Sequence, residues 1–175
     1  SREEVRRLLR VAAKDDWRVW LFIVLALATG ARRGAILELT WDRIDFVAGT
    51  IDFRAPHPRA SRRKHRAVVP MDARLRRILL RARRASSDDR VVPISTTRLG
   101  RRIKSIARRA EVSEPISPHI FRHTAATELL RTVPLVMASR LIGHRSVAIT
   151  DEVYGHLTVG DLVPAAGALA RFAGL

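Results

Sequence analysis

Apolar residues recur at helical spacing through most of the chain. Val5, Leu8 and Leu9 form the first stripe, and Ser1 followed by Glu4 has the form of a capping box, so the pattern predicts a helix from Ser1 to about Ala13. Trp17 to Thr29 is apolar nearly all round, which predicts a central buried helix ended by Gly30. A short helix is expected from Arg33 to about Leu39, with Ile36, Leu37 and Leu39 packing. The period then changes. Ile44 to Phe46, Thr50 to Arg54 and Arg66 to Pro70 read as strands, with Ala48-Gly49 as the first turn and a long basic connection, Ala55 to His65, as the second. Asp72 caps a helix to about Ala85, Val91 to Ile94 reads as a short extended piece, and Thr97 to Ala110 as a further helix. Ser117-Pro118 opens a helix to about Arg131, Pro134 opens one ending near Gly143, and Val147 to Tyr154 and Asp161 to Phe172 complete the set. The fold class expected is α+β, mostly α-helical, with one small antiparallel sheet in the N-terminal half.

Composition narrows the classes. The 175 residues suit one domain of ordinary size, and a hydrophobic share of 47% is enough to bury a core. No cysteine is present, which removes disulfides, thiolate zinc sites and cysteine nucleophiles. The longest apolar run, Val19 to Ala28, is about half the ~20 residues a membrane helix needs. A soluble, intracellular protein is therefore expected. Its net charge of +16 is carried almost wholly by arginine, since Lys14, Lys64 and Lys104 are the only lysines. Such a charge repels itself in the compact state, and a polyanion offsets it. Guanidinium suits phosphate because its planar fork holds two oxygens at once. A base-rich genome accounts equally for many arginines: Arg74, Arg76, Arg77, Arg81, Arg83 and Arg84 crowd one helix and cannot all be functional.

Three clusters carry candidate chemistry. Thr29-Gly30-Ala31-Arg32 makes a sharp turn after the buried helix; Arg32 there either reaches solvent or is aimed at an anion. His119 and Arg122 share a face in the first turn of a helix, where free N–H groups favour an anion, and the apolar Ile120, Phe121, Ala125 and Ala126 fix that face. His144 follows Gly143 at a helix end, and Tyr154, the lone tyrosine, stands before a Gly155 break. Alone, His144 reads as a helix cap and Tyr154 as a core or rim residue. Together with the basic hairpin loop they fit attack of a tyrosine hydroxyl on a phosphodiester: guanidinium groups stabilise the charge that builds on the non-bridging oxygens, while histidine and lysine move protons. No carboxylate-rich metal cluster accompanies them.

With these motifs in this order, the chain resembles the tyrosine recombinases, phage-type integrases in particular, whose catalytic domain is similar to that of type IB topoisomerases. Thr29–Arg32 looks like the first arginine box, His119-Ile-Phe-Arg122-His-Thr-Ala-Ala-Thr127 like the second, and Leu141-Ile-Gly-His144 and Tyr154-Gly-His156 like the third histidine and the nucleophile. The resemblance implies that Arg32 and Arg122 clamp the scissile phosphate, that His119 handles a proton or supports the phosphate, and that His144 hydrogen-bonds it. Tyr154 would become joined to the 3′ phosphate. A hairpin lysine would protonate the 5′ leaving oxygen. Lys64 is the hairpin's lysine; Arg62 lies where a simple alignment also places that residue, but a guanidinium is a poor acid near neutral pH.

Two departures stand out. Many members carry an acidic residue three positions after the first arginine, where this chain has Ala35, and Thr132 stands before Val133-Pro134 where glycine is common. The resemblance further implies a single catalytic domain over 1–175 without a counterpart of the family's preceding DNA-binding domain. It implies double-stranded DNA as partner, self-association into a tetramer on DNA, no cofactor (neither metal nor ATP), and a cytoplasmic, nucleoid-associated location. The tail, Val163 to Leu175, carries Leu169, Phe172 and Leu175 and packs either on its own core or, as the resemblance implies and as is favoured here, on a neighbouring subunit. Site-specific recombination or integration is the expected activity; the alternatives are relaxation of the topoisomerase kind and a helical DNA-binding module without catalysis.

Overall fold

A computed structural model describes residues 1–54, 67–113, 116–142 and 159–174. The first helix, α1 (Arg2–Asp15), opens on the expected capping box: the Ser1 hydroxyl accepts from the Glu4 N–H while the Glu4 carboxylate reaches back. It buries Val5, Leu8 and Ala12. Asp16 separates it from α2 (Trp17–Thr29) and caps the latter, its carboxylate accepting from the Arg18 N–H at 3.0 Å. As the all-round apolar pattern requires, α2 is the centre of the molecule, with residues from Leu21 to Thr29 buried without a break.

After α2 come α3 (Arg33–Leu37), a 3₁₀ turn (Trp41–Arg43) and a three-stranded antiparallel sheet in the order β1-β2-β3. The strands are β1 (Ile44–Asp45), β2 (Thr50–Asp52) and β3 (Val68–Pro70), registered Ile44 on Ile51 and Ile51 on Val69. These three buried side chains share one face, the period-two pattern of a sheet with one face on the core. At the β1–β2 turn, Asp45 accepts from the Val47 and Ala48 N–H groups, and Gly49 takes φ +68°.

The helices that follow are α4 (Ala73–Ala85), α5 (Thr96–Arg109), α6 (Pro118–Thr132), α7 (Leu135–Ile142) and, after a 3₁₀ turn at Gly160–Leu162, α8 (Val163–Ala173). Side-chain caps at Asp72 and Ser95 start α4 and α5, and Pro118 occupies the first turn of α6. The helices α1, α5, α6 and α8 pack around α2.

Several boundaries differ from expectation. The third helix stops at Leu37 rather than Leu39, because Glu38 closes the turn and Leu39 is already in the chain that pairs with Val91. Val91 to Ile94 forms no strand; apart from the single bridge of Thr40 with Arg90, it is irregular chain whose Val91, Val92 and Ile94 fill the core. The second strand ends at Asp52, whose carboxylate turns back to the Arg54 N–H at 2.8 Å. Arg66 and the expected helix from Val147 to Tyr154 lie outside the described residues.

Of the two places open to the C-terminal segment, the less favoured one is occupied: α8 packs on its own chain, against α2 and α6, burying Ala165, Leu169, Phe172 and Ala173. Five of its eleven residues are alanine, and these small side chains let it approach α2 and α6 closely.

Candidate functional site

The turn after α2 is where the site begins. Thr29, buried, donates its hydroxyl to the Leu25 carbonyl at 2.6 Å and accepts from the Ala31 N–H at 3.2 Å, so the last turn of α2 is closed from within. Gly30 takes φ +64°, the left-handed conformation that reverses the chain at a helix end. A side chain there would stand 3.3 Å from Ile142 Cγ1 and 3.7 Å from Ala125 Cβ. The turn thus lies against α6 and α7; the left-handed backbone favours glycine, and a side chain would also press on Ile142.

Arg32 follows in extended conformation, φ −69° and ψ 146°, and its carbonyl accepts the first hydrogen bond of α3, from Ile36 at 3.1 Å. The half-buried side chain lines a shallow cleft.

Arg122 reaches the same cleft from α6. Its Nη1 donates to the Gly30 carbonyl at 2.7 Å and to the Ile142 carbonyl at 2.8 Å. Those two carbonyls belong to the C-terminal ends of α2 and α7, where the helix dipole is negative. A single guanidinium therefore joins three helices, and its plane has no freedom to turn. The other nitrogen, Nη2, is buried without a hydrogen-bond partner among the described residues. Burial and then the positive charge of Arg32 lower the Arg122 pKa to about 10. A buried donor of this kind, beside a second guanidinium, favours an anion.

Among the described residues, no carboxylate lines the cleft. Its walls are Thr29, Ala31, Arg32 and Ala35 on one side, Phe53, Ala67 and Val69 from the sheet on another, and Arg122, Leu141 and Ile142 on the third. Ala35, one of the two departures noted in the sequence, lies in this wall, so a methyl group stands where many members of the resembled family have an acid. Of this wall, Arg122 Nη2 is the buried donor that has no partner among the described residues.

The structure thus brings together Arg32 and Arg122, which lie far apart in sequence. His119 sits one turn before Arg122 in α6, exposed, and is not among the lining residues. Lys64 and Arg62 fall in 55–66, and His144 and Tyr154 in 143–158, outside the described residues. The chain does enter both stretches from the cleft wall: Phe53 and Ala67 flank the first, and Ile142 immediately precedes the second.

Two features of the site were not foreseen. The anchoring of Arg122 by main-chain carbonyls carries no signal in residue identity, because any residue supplies a carbonyl. The apolar wall of Phe53, Ala67 and Val69 could have been found by asking which sheet residues adjoin the basic hairpin.

Comparison with known proteins agrees with this arrangement. XerA of Pyrococcus furiosus, a tyrosine recombinase, is 27% identical over 173 residues, covering 93% of this chain and 58% of that protein. An integrase of Streptomyces ambofaciens is 29% identical, covering 81% and 45%. A putative integrase/recombinase of Sinorhizobium fredii is 31% identical, covering 93% and 90%. The chain spans about half the length of most such relatives. Among solved structures, a XerA recombinase superposes with a TM-score of 0.70 at 25% identity, covering 93% of this chain and 61% of that one. The lambda integrase catalytic core superposes at 0.69 with 18% identity, covering 82% and 93%, a likeness of fold. Residues 1–160 match the phage integrase family throughout, and with that much of its length accounted for the chain belongs to this family.

Proposed function

We propose that this chain carries the catalytic machinery for site-specific DNA recombination or integration through a 3′-phosphotyrosyl intermediate. The observation that carries the reading is Arg122: a half-buried guanidinium fixed by two carbonyls, its buried Nη2 unpaired among the described residues, in a cleft shared with Arg32. Such a pair stabilises a phosphorane-like transition state more than the ground state, because charge on the non-bridging oxygens increases as the nucleophile adds.

In this reading the Tyr154 oxygen bonds to phosphorus and the bond from phosphorus to the 5′ oxygen breaks. The tyrosine proton passes to His119, and Lys64 protonates the leaving 5′ oxygen. Arg32, Arg122 and His144 hold the non-bridging oxygens. Rejoining reverses the steps with a 5′ hydroxyl of another duplex, so the energy of the broken bond is kept in the phosphotyrosine and neither metal nor ATP is needed. Residues 1–175 act as a single catalytic domain. The partner is double-stranded DNA, and the acting form is a tetramer on DNA in the cytoplasm, associated with the nucleoid. In support, lambda integrase has been solved as a dimer on a core site and as a tetramer on a Holliday junction, and XerH on its difH substrate. The relatives compared above are recombinases and integrases, which favours exchange over simple relaxation.

The test is a suicide substrate carrying the attachment site of the parent element. A covalent protein–DNA adduct is expected, and Tyr154→Phe is expected to abolish it while binding persists. Adduct formation by the phenylalanine variant overturns the assignment.

A further inference from the structure

The outer face of α4 is a row of arginines with no role in the cleft. Leu75 and Leu79 are buried on its inner side. Arg74, Arg77, Arg81 and Arg84 are all exposed, and their spacing of three, four and three residues puts them on one stripe opposite those leucines. At about 1.5 Å per residue the stripe is about 15 Å long. Two other arginines of the helix are used internally: Arg76 donates to the Phe46 carbonyl at 2.7 Å, and the Arg83 guanidinium lies 5.7 Å from the centre of the Trp41 ring. These contacts seat α4 on the β1 side of the sheet, and none of its residues lines the cleft.

The row is costly as it stands. Like charges at these spacings repel, and Arg74 and Arg77 sit at the helix N-terminal end, where the dipole favours acids. No acid lies within α4. Elsewhere the molecule commits its few carboxylates to arginines: Asp15 to Arg102 and Arg109, Asp16 to Arg18, Glu128 to Arg2. The four stripe arginines have no carboxylate partner among the described residues. An arginine-rich composition explains single exposed arginines. It does not explain an unbroken row with no compensating acid set within it.

We propose that this ridge is a second, sequence-independent contact surface for the phosphate backbone of duplex DNA, separate from the cleft. About 15 Å of duplex presents about nine phosphate charges, ample for four guanidinium groups. The surface would hold a flanking or second duplex. It does not depend on the cleavage chemistry and would operate in a chain with no cleavage activity at all.

The experiment uses the 175-residue chain and a duplex of arbitrary sequence, with affinity measured across a salt series. Changing all four to glutamine (R74Q, R77Q, R81Q, R84Q) keeps helix propensity, and far-UV circular dichroism checks the fold. The slope of log affinity against log salt is expected to become shallower by about 3.6, since each of the four phosphates no longer neutralised takes about 0.9 from it. Lysine at the same four positions is expected to keep the wild-type slope. A control that removes equal charge from exposed sites elsewhere (R6Q, R10Q, K14Q, R108Q) is expected to change it by less than about one. A ridge effect no larger than the control's, or a lysine variant that behaves like the glutamine one, overturns the proposal. So does loss of binding to phosphatidylserine vesicles with the DNA slope unmoved, which would assign the ridge to a membrane surface.

Discussion

At the scale of single residues, the site is organised around a glycine as much as around its arginines. Gly30 supplies the carbonyl that holds Arg122, and it does so from a left-handed conformation with Ile142 and Ala125 against its α-carbon. Gly30→Ala is expected to destabilise the fold by about 1–2 kcal/mol from the left-handed backbone alone. The approach of 3.3 Å to Ile142 Cγ1 means that this side chain must also give by a few tenths of an ångström. Urea unfolding midpoints measure the combined effect. An alanine variant as stable as the wild type would contradict the wedge. Arg122 illustrates a second point at this scale. Its lowered pKa means that the charged form is held at a cost through the whole neutral range, a cost relieved only above about pH 10 or by an anion. Its Nη2 has no hydrogen-bond partner among the described residues, so an anion placed there would relieve that cost.

At the scale of elements, the junction of α1 and α2 shows how much one acid can organise. Asp16 ends α1, caps α2 through the Arg18 N–H, and accepts from the Arg18 side chain at 2.9 Å through each carboxylate oxygen. These hydrogen bonds from Arg18 are the main reason its pKa is lowered. Asp16→Ala is expected to cost about 1–3 kcal/mol, the sum of a lost N-cap and lost charge-assisted bonds at a buried position. Asp16→Asn keeps the cap and should cost less. The sign of the pH effect follows from the direction of the shift. A carboxylate with a lowered folded pKa adds stability above the ordinary carboxylate range and loses it as pH falls through the lower folded value. The gap between wild type and Asp16→Asn should thus close on acidification, as denaturant midpoints from neutral to acid pH will show. The hydropathy pattern locates both helices, because a capping box and a run of apolar residues are local signals. It places the strand ends and the end of α3 less well, since those depend on side-chain turns such as Asp52 to Arg54 and on pairing with distant chain.

At the scale of the whole molecule, α8 is the element whose place periodicity could not reveal. An apolar alanine-rich helix fits its own core or a neighbour's equally well. In this fold it lies on α2 and α6, with Leu169 fully buried. Leu169→Ala is expected to lower the stability of the isolated chain by about 2–5 kcal/mol. If α8 docked on another subunit instead, that substitution would leave a dilute monomer's unfolding midpoint unchanged and alter self-association. Because α6 carries Arg122 and α8 packs against α6, the end of the chain supports the site from behind.

The order of amino acids along the chain settles the local and the chemical. It sets the helix starts at Ser1, Trp17, Asp72 and Ser117, the burial of α2, the excess of arginine, and the motifs that mark the family. Capping, periodicity and residue chemistry act over a few positions, so they can be read along a line. Folding in three dimensions adds the rest: Arg122 held by the ends of two other helices, Ala35 in the cleft wall where an acid would stand, α8 over its own core, and four arginines of α4 in an outward row without a counter-charge among the described residues. Each of these depends on which distant groups meet and what is removed from water when they do, and no short stretch of chain contains that information.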